Sequence, residues 1–175
     1  VKGTAMRVIF LDIDGVLNGI DTTDSIPGTP YRGIDHSKVR LLKKLVDLSN
    51  MAEHTVIVLT STWRMGQDYY GNVIPGQKAY LSECLAKQGL SVYGETPVIN
   101  RGRKRGTEIK EWLLGHDEVT GIVILDDHLY DFWAAGLLPY WLQTDEEEGL
   151  KEELIGKALK ILELKWSPVL LPNAE

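Results

Sequence analysis

The run Met6-Arg7-Val8-Ile9-Phe10-Leu11-Asp12-Ile13-Asp14-Gly15-Val16-Leu17 organises the rest of the chain. Its apolar part, with Val8 to Leu11 at the centre, is β-branched and aromatic and breaks off at a carboxylate. Such a run reads as a strand buried on both faces, in the middle of a parallel sheet. Residues i and i+2 of a strand point to one side, so Asp12 and Asp14 are expected to project together where the strand ends. Two carboxylates so close repel unless a cation, a proton or a hydrogen-bond donor compensates them. Ligand sites of open α/β sheets lie at the carboxyl ends of strands. Magnesium, which favours oxygen ligands, is the natural compensator there. Taken alone, the same residues also read as a polar turn after a core strand.

The next segment, Asn18 to Gly33, is rich in Gly, Thr, Pro and Asp and has no periodicity. It reads as a loop arching over the end of the strand, and loops of that length in compact domains are usually functional. Asp35 or Ser37 is placed to cap a helix reaching about Asn50, with Val39, Leu42, Leu45 and Val46 on its inner face. A second strand, Thr55 to Leu59, ends in Thr60-Ser61-Thr62-Trp63-Arg64. Gly66 to Gly76 is polar and aromatic, a loop with a short helix. Pro75 or Gln77 opens a helix to about Gln88, stopped by Gly89.

Leu90 to Tyr93 reads as a short third strand, and Gly94 to Gly106 as an irregular segment holding Arg101, Arg103, Lys104 and Arg105. Thr107 is the expected cap of a helix with Ile109, Trp112 and Leu113 inward, ending near Gly115. Gly121 to Leu125 is the fourth strand and delivers Asp126 and Asp127 at its carboxyl end. A short helix is expected next, Leu129, Phe132 and Trp133 inward and Gly136 its stop. Leu138 to Leu142 reads as a fifth strand. The last helix is expected from about Glu148 to Leu164, packing through Leu150, Leu154, Ile155, Ala158 and Leu162, with Asp145 to Glu148 suiting its dipole.

Strands alternating with helices mean an α/β domain, three-layered and Rossmann-like, around a central parallel five-stranded sheet. Residues 6–164 form that domain. Val1 to Ala5, ahead of Met6, read as a remnant outside it, and residues 165–175 as a surface tail.

At 175 residues the chain carries one full core rather than two. Nineteen basic against 25 acidic side chains, a formal charge of -6, argue against coating nucleic acid over the whole surface and leave room for a local basic site. Cys84 is the single cysteine, so no internal disulfide forms and a cytoplasmic, reducing setting fits. It shares a helical face with Leu81 and Leu85 and reads as core filler. No apolar run is long enough to span a bilayer. His36, His54 and His116 lack ligand spacing, so no zinc site is expected.

Three strands thus end in chemistry: Asp12 and Asp14, Thr60 and Ser61, Asp126 and Asp127, with a basic cluster ahead of a helix between the last two pairs. The pattern resembles the haloacid dehalogenase-like (HAD-like) phosphohydrolase superfamily. Asp12-Ile13-Asp14-Gly15 matches its first motif, Thr60 or Ser61 its second, and Asp126-Asp127 its fourth, where Asp131 assists. Arg105 or Lys104 matches the basic third motif. Ser61-Thr62-Trp63-Arg64, Arg105-Gly106-Thr107-Glu108-Ile109 and Gln143-Thr144-Asp145 extend the likeness to the small branch met in Swiss Army Knife RNA repair proteins.

That resemblance implies roles. Asp12 is the nucleophile that forms an aspartyl-phosphate, and Asp14 the general acid and base. Mg2+ is held by Asp12, the backbone carbonyl of Asp14, Asp126 and Asp127. Thr60 or Ser61 and Arg105 or Lys104 bind the phosphoryl oxygens, with Gly15 as a further substrate contact. Arg64, beside the second motif, reads either as the partner of a surface carboxylate or as a group that meets the substrate phosphate or orients Asp126 or Asp127. Family dehalogenases lack an acid at the position of Asp14, so phosphate-ester hydrolysis is the implied reaction.

Neither insertion point, residues 18–35 or 94–106, has room for a large cap domain, which leaves the site open. Open sites suit ends of large molecules, and the branch resemblance points to a terminal phosphate on RNA or DNA. Arg101 to Arg105 fits an approaching polyanion, and Tyr31, Tyr69 and Tyr70 are candidate stacking rings. The alternatives are a phosphatase of small metabolites or nucleotides, with loop 18–35 as a lid, and a non-catalytic binding domain, which intact Asp12, Asp14 and Asp126 argue against. A receiver domain, which also gathers acids around magnesium, fits the Asp-x-Asp-Gly run poorly.

Overall fold

A computed structural model describes residues 3–168. Five strands form one all-parallel sheet: β1 (Met6–Leu11), β2 (Thr55–Leu59), β3 (Gly94–Glu95), β4 (Val119–Asp126) and β5 (Trp141–Gln143). Their order across the sheet is β3-β2-β1-β4-β5, so the direction of winding reverses at β1 and β4. Four helices complete the fold, α1 (His36–Asn50), α2 (Gln77–Ala86), α3 (Arg105–Leu114) and α4 (Glu152–Leu162). Among the described residues no cap domain is inserted, and no helix is long and apolar enough to cross a membrane.

β1 is central because its side chains are apolar on both faces. Ile9 and Leu11 join Ile57, Leu59, Val123 and Leu125 under α1, α2 and α4, where Leu42, Leu45, Leu85 and Ala158 close the layer. Val8 and Phe10 face the other way, with Val58, Ile122 and Ile124, onto Ile109, Trp112 and Leu113 of α3. The Phe10 ring meets Trp112 edge-on at 5.6 Å. Truncating a fully buried residue such as Leu45 to Ala is expected to cost about 2–5 kcal/mol. Cys84 is buried in the first of these layers, as its helical spacing implies. Asp35 caps α1 by accepting from the Ser37 N–H at 2.9 Å.

Four elements depart from the sequence reading. The third strand is Gly94–Glu95 rather than Leu90–Tyr93. Gly89 is left-handed, and the Leu90 N–H bonds back to the Leu85 carbonyl at 3.0 Å, so Leu90 closes the end of α2 instead of entering the sheet. No helix forms over residues 128–136. Phe132 is buried there, but Trp133 is 79% exposed and Leu129 also faces out. The Asp131 carboxylate instead crosses to α3 and takes the N–H groups of Gly106 (2.7 Å) and Thr107 (3.1 Å) and the Thr107 hydroxyl (2.6 Å). Asp131, not Thr107, therefore caps α3, and a Cβ on Gly106 would stand 2.7 Å from the Asp131 carbonyl.

Leu138–Tyr140 is a 3-10 turn, which delays β5 to Trp141. Asp145 to Gly149 is a turn too: the Asp145 side chain accepts from the Glu147 and Glu148 N–H groups and Gly149 is left-handed, so α4 begins only at Glu152. Of the expected surface tail, Trp166 is buried against Tyr140, and residues 169–175 lie outside the described residues.

Candidate active site at the carboxyl ends of the strands

Strand register brings the chemistry together. Leu11 pairs with Leu59 of β2 and with Leu125 of β4, so Asp12, Thr60 and Asp126 come level one residue later. The Asp12 N–H bonds to the Leu125 carbonyl and the Thr60 N–H to the Leu11 carbonyl, both at 3.0 Å. This is the point where the winding reverses, the expected place for a ligand crevice.

Asp12, Asp126 and Asp127 each offer a carboxylate oxygen within 4.8 Å of the others. Asp12 is 6% exposed and Asp126 fully buried. Burial, reinforced by the charge of Asp126 and opposed by Arg105, pushes the Asp12 carboxyl up to about 7. Burial likewise raises Asp126 to about 6 against the pull of Arg105, and Asp127 to about 6 with Asp12 adding to the rise. Three crowded carboxylates that resist ionisation are a donor set for a hard dication, and the residues present fit magnesium.

Gly15 makes the cluster possible. Its φ is +78°, and a Cβ there would stand 2.8 Å from the Asp127 Cβ and closer still to its carboxylate. Expected to contact substrate, Gly15 is instead spent within the fold. Its N–H donates to Asn18 Oδ1 at 2.9 Å and its carbonyl accepts from Thr144 Oγ1 at 2.5 Å.

Arg105 supplies the counter-charge. Its Nη1 lies 2.6 Å from Asp126 and 3.1 Å from Asp12, and its guanidinium stacks over Tyr130 at 4.4 Å. Burial works against its charge, yet Asp12 and Asp126 hold it further above the ordinary arginine range. Its Nε is buried without a partner, an unspent donor. Lys104, the other candidate for the basic role, is exposed at the start of α3 and does not border the cleft.

Asp14 stands apart from the three acids. Asn18 Nδ2 donates to its Oδ1 at 2.8 Å and Trp63 Nε1 to its Oδ2 at 3.0 Å. Its side chain is thus outside the metal cluster, which leaves only its backbone carbonyl for the ligand role. Ser61 borders the cleft beside Asp12, whereas Thr60 is sealed, its hydroxyl buried without a partner. Ser61 Oγ accepts from the Trp63 N–H at 3.1 Å, so its own proton is free to donate.

Arg64 is not brought to the cleft. It is buried against Glu108 and donates to the carbonyls of Thr60, Ser61 (2.7 Å), Thr96 (3.1 Å) and Pro97 (3.4 Å), which leaves nothing for a substrate.

The cleft above these groups measures about 490 Å3. It is not fully open: the loop around Tyr31 and the loop around Asp68 wall it, joined where the Tyr31 hydroxyl donates to Asp68 Oδ2 at 2.9 Å. Asp68 also accepts from the Tyr70 and Asn72 N–H groups and from Asn72 Nδ2, which orders that wall. Tyr31 and Tyr69 line the cleft, Tyr70 does not, and Arg103 sits over the Tyr69 ring at 5.3 Å. Arg32, exposed and without an ion-pair partner among the described residues, adds positive charge to the same wall.

Sequence reasoning missed Asn18 and Tyr130, and the hydrogen bonds that Thr144 and Trp63 make. An Asn three residues after a left-handed Gly is a turn signal that could have found Asn18. The others act across long separations.

A family model described as the HAD domain in Swiss Army Knife RNA repair proteins matches residues 8–155, and no curated protein and no solved structure matches the chain.

Proposed function

The chain belongs to the family of HAD domains in Swiss Army Knife RNA repair proteins, and from that membership we propose that it is a magnesium-dependent phosphatase of phosphate monoesters, acting on the terminal phosphate of an RNA or DNA end. The observation that carries the reading is the division of labour among four aspartates. Three crowd beside Arg105 at the floor of a cleft, and the fourth, Asp14, is held away from them by two N–H donors. A nucleophile and a proton carrier need such different surroundings.

Asp12 attacks phosphorus through a carboxylate oxygen, and the bond to the leaving oxygen breaks as an aspartyl-phosphate forms. Asp14 gives its proton to that leaving oxygen. A water then loses a proton to Asp14 and attacks the same phosphorus; the bond to Asp12 breaks and inorganic phosphate departs. Arg105 and the Ser61 hydroxyl stabilise the charge spread over the phosphoryl oxygens. Magnesium, held by Asp12, Asp126, Asp127 and the Asp14 carbonyl, would neutralise charge and align the phosphate. Arg32 and Arg103 supply positive charge at the mouth for neighbouring phosphates.

The walled cleft favours a second reading, a phosphatase of free nucleotides or small metabolites, with the loop around Tyr31 as lid. One experiment covers both. Purified protein is given acetyl phosphate, nucleoside monophosphates and 3′- or 5′-phosphorylated oligonucleotides, with magnesium or with chelator. Magnesium-dependent phosphate release is expected, and no release from Asp12→Asn, whose amide cannot attack. Full activity in chelator, or turnover by Asp12→Asn, would falsify the assignment.

A further inference from the structure

The cleft is larger than its chemistry requires. A phosphoryl group fills the space of a few waters, on the order of 100 Å3, against about 490 Å3 available. The surplus lies within the size range of small-molecule sites. Away from the carboxylates of the floor, the wall holds Tyr31, Tyr69, Ile26, Ile74, Gln67 and Gln77, with Arg32 and Asp68 beside the tyrosines. Asp68 is spent on Tyr31 and Asn72, and most of the remaining surface offers flat rings, apolar side chains and amides.

Gln77 is the unexplained member. It opens α2 directly after the left-handed Gly76, and it is 2% exposed although it lines the cleft. Its Oε1 is buried without a hydrogen-bond partner. A buried carboxamide left unpaired is destabilising, and an apolar residue of the same shape would remove that cost. The cost makes sense if a ligand completes the pairing. The carboxamide carries an acceptor oxygen and a donor NH2 on one carbon, so a ligand that reaches it is met by both side by side, in either order once the amide is turned over. A nucleobase edge has that pattern, and Gln is among the side chains that pair with base edges in this way.

The neighbouring rings suit the flat face of a base. Tyr31 is fixed by its bond to Asp68, and Tyr69 carries Arg103 over its ring. Stacking on such rings is a general route to holding an unpaired base. We propose that this wall is a nucleobase subsite: the base at the phosphorylated end lies against Tyr31 and Tyr69, and the Gln77 carboxamide pairs with its edge. The inference rests on the phosphatase reading and narrows its leaving group to a nucleoside.

The test compares kcat/KM for ribonucleoside 3′- and 5′-monophosphates, ribose 5-phosphate and acetyl phosphate, all with magnesium. At least one nucleotide is expected to exceed ribose 5-phosphate by about tenfold or more, since stacking one base on an aromatic ring is worth that much. Gln77→Met should cut this ratio several-fold and, by removing the orphaned amide, raise the melting temperature by about 2–4 °C. Tyr69→Leu, at an exposed position, should cut the ratio as well and stands in if Gln77→Met does not fold. Acetyl phosphate separates the two levels. If it is hydrolysed while nucleotides and ribose 5-phosphate are used equally, the base subsite is wrong and the phosphatase reading stands. If a base preference exists but survives Gln77→Met, Gln77 pairs with water and the assignment to it is overturned. If no substrate is turned over, both readings fall together.

Discussion

Two arginines are buried in this protein, each against a buried carboxylate, and they do opposite things. Arg64 is 1% exposed and paired with the fully buried Glu108; its remaining N–H groups go to four backbone carbonyls. Glu108 in turn accepts from the Ile99 N–H at 3.0 Å. The pair clamps the turn after β2, the segment after β3 and the first part of α3, the pieces that carry Ser61 and Arg105. Arg105 is equally buried, at 3%, but it borders the cleft, answers two aspartates and keeps an unpaired Nε. Burial pushes Arg64 below the ordinary arginine range, whereas Asp12 and Asp126 outweigh burial and hold Arg105 above it. Burial and ion pairing are thus common to both arginines; they differ in that Arg105 borders the cleft and keeps a donor without a partner.

The largest effect expected is on stability, at the sealed pair. Arg64→Met leaves Glu108 as an uncompensated buried charge and should cost about 3–5 kcal/mol in chemical denaturation. Adding Glu108→Gln should recover a good part of it, because the orphaned charge is gone. If Arg64→Met folds with wild-type stability but loses turnover, Arg64 belongs with the substrate after all and the contrast collapses.

Next comes Arg105→Met, read in activity. Removing a preorganised donor to a developing oxyanion lowers kcat by about 100- to 1,000-fold. The stability loss should be smaller than at Arg64, since Asp12 borders the cleft and both Asp12 and Asp126, already raised by burial, can take up protons. Steady-state kinetics on acetyl phosphate, with a melting curve on the same sample, gives both numbers. Equal stability losses at the two arginines would break the distinction.

The sequence placed Arg105 at the start of a helix and left Arg64 between a carboxylate partner and a substrate contact. Arg105 follows a turn and opens a helix, a local pattern; Arg64 follows Thr60-Ser61 just as closely, and nothing local says that it turns inward to Glu108, 44 residues on. The same divide runs through the fold. The ends of β1, β2 and β4 were readable because an apolar run stopping at a polar residue is a local event. β3 was misplaced because its two residues draw their place from Val58 and Leu59 rather than from an apolar pattern of their own. The helix expected after Asp127 failed because the Asp131 side chain is spent on the start of α3. Around Asp14, Asn18 lies four residues away but Trp63 lies 49, and only tertiary structure brings that indole to the carboxylate.

A smaller effect separates the two sites by pH and metal. In the metal-free protein Asp12, at about 7, and Asp126 and Asp127, at about 6, keep protons that the unfolded chain has released. Between about pH 4 and pH 7 the native state thus binds more protons than the unfolded one, and stability falls as pH rises, by about 1.4 kcal/mol per pH unit for each net proton. Glu108, also raised by burial, works in the same direction, but it is sealed from a metal. Magnesium should therefore lift the melting temperature more at about pH 7.5 than at about pH 5.5, where it competes with protons. Asp127→Asn should raise the chelator-treated melting temperature at the higher pH and lose most of the lift. A melting temperature indifferent to magnesium at both values would remove the metal assignment.

The smallest effect is expected one residue from Arg105. Lys104 and Arg105 are adjacent basic residues, and either fits the third motif by sequence alone. Arg105 opens α3 and borders the cleft, whereas Lys104 precedes the helix with a non-helical backbone and does not border it. Lys104 is exposed, and its role in the fold is through its carbonyl, which accepts from the Glu108 N–H at 2.9 Å. Lys104→Ala is therefore expected to change kcat on acetyl phosphate by less than about twofold, the range of a surface charge far from the transferring group. On a phosphorylated oligonucleotide its effect should be confined to KM and should shrink as salt is raised, since a surface lysine near a polyanion acts through counterion release. Parallel assays of Lys104→Ala and Arg105→Met on both substrates, at low and moderate salt, decide it. If Lys104→Ala lowers acetyl phosphate turnover as far as Arg105→Met does, the buried arginine loses its claim to the phosphoryl group, and facing the cleft with an unspent donor is not what makes an arginine work here.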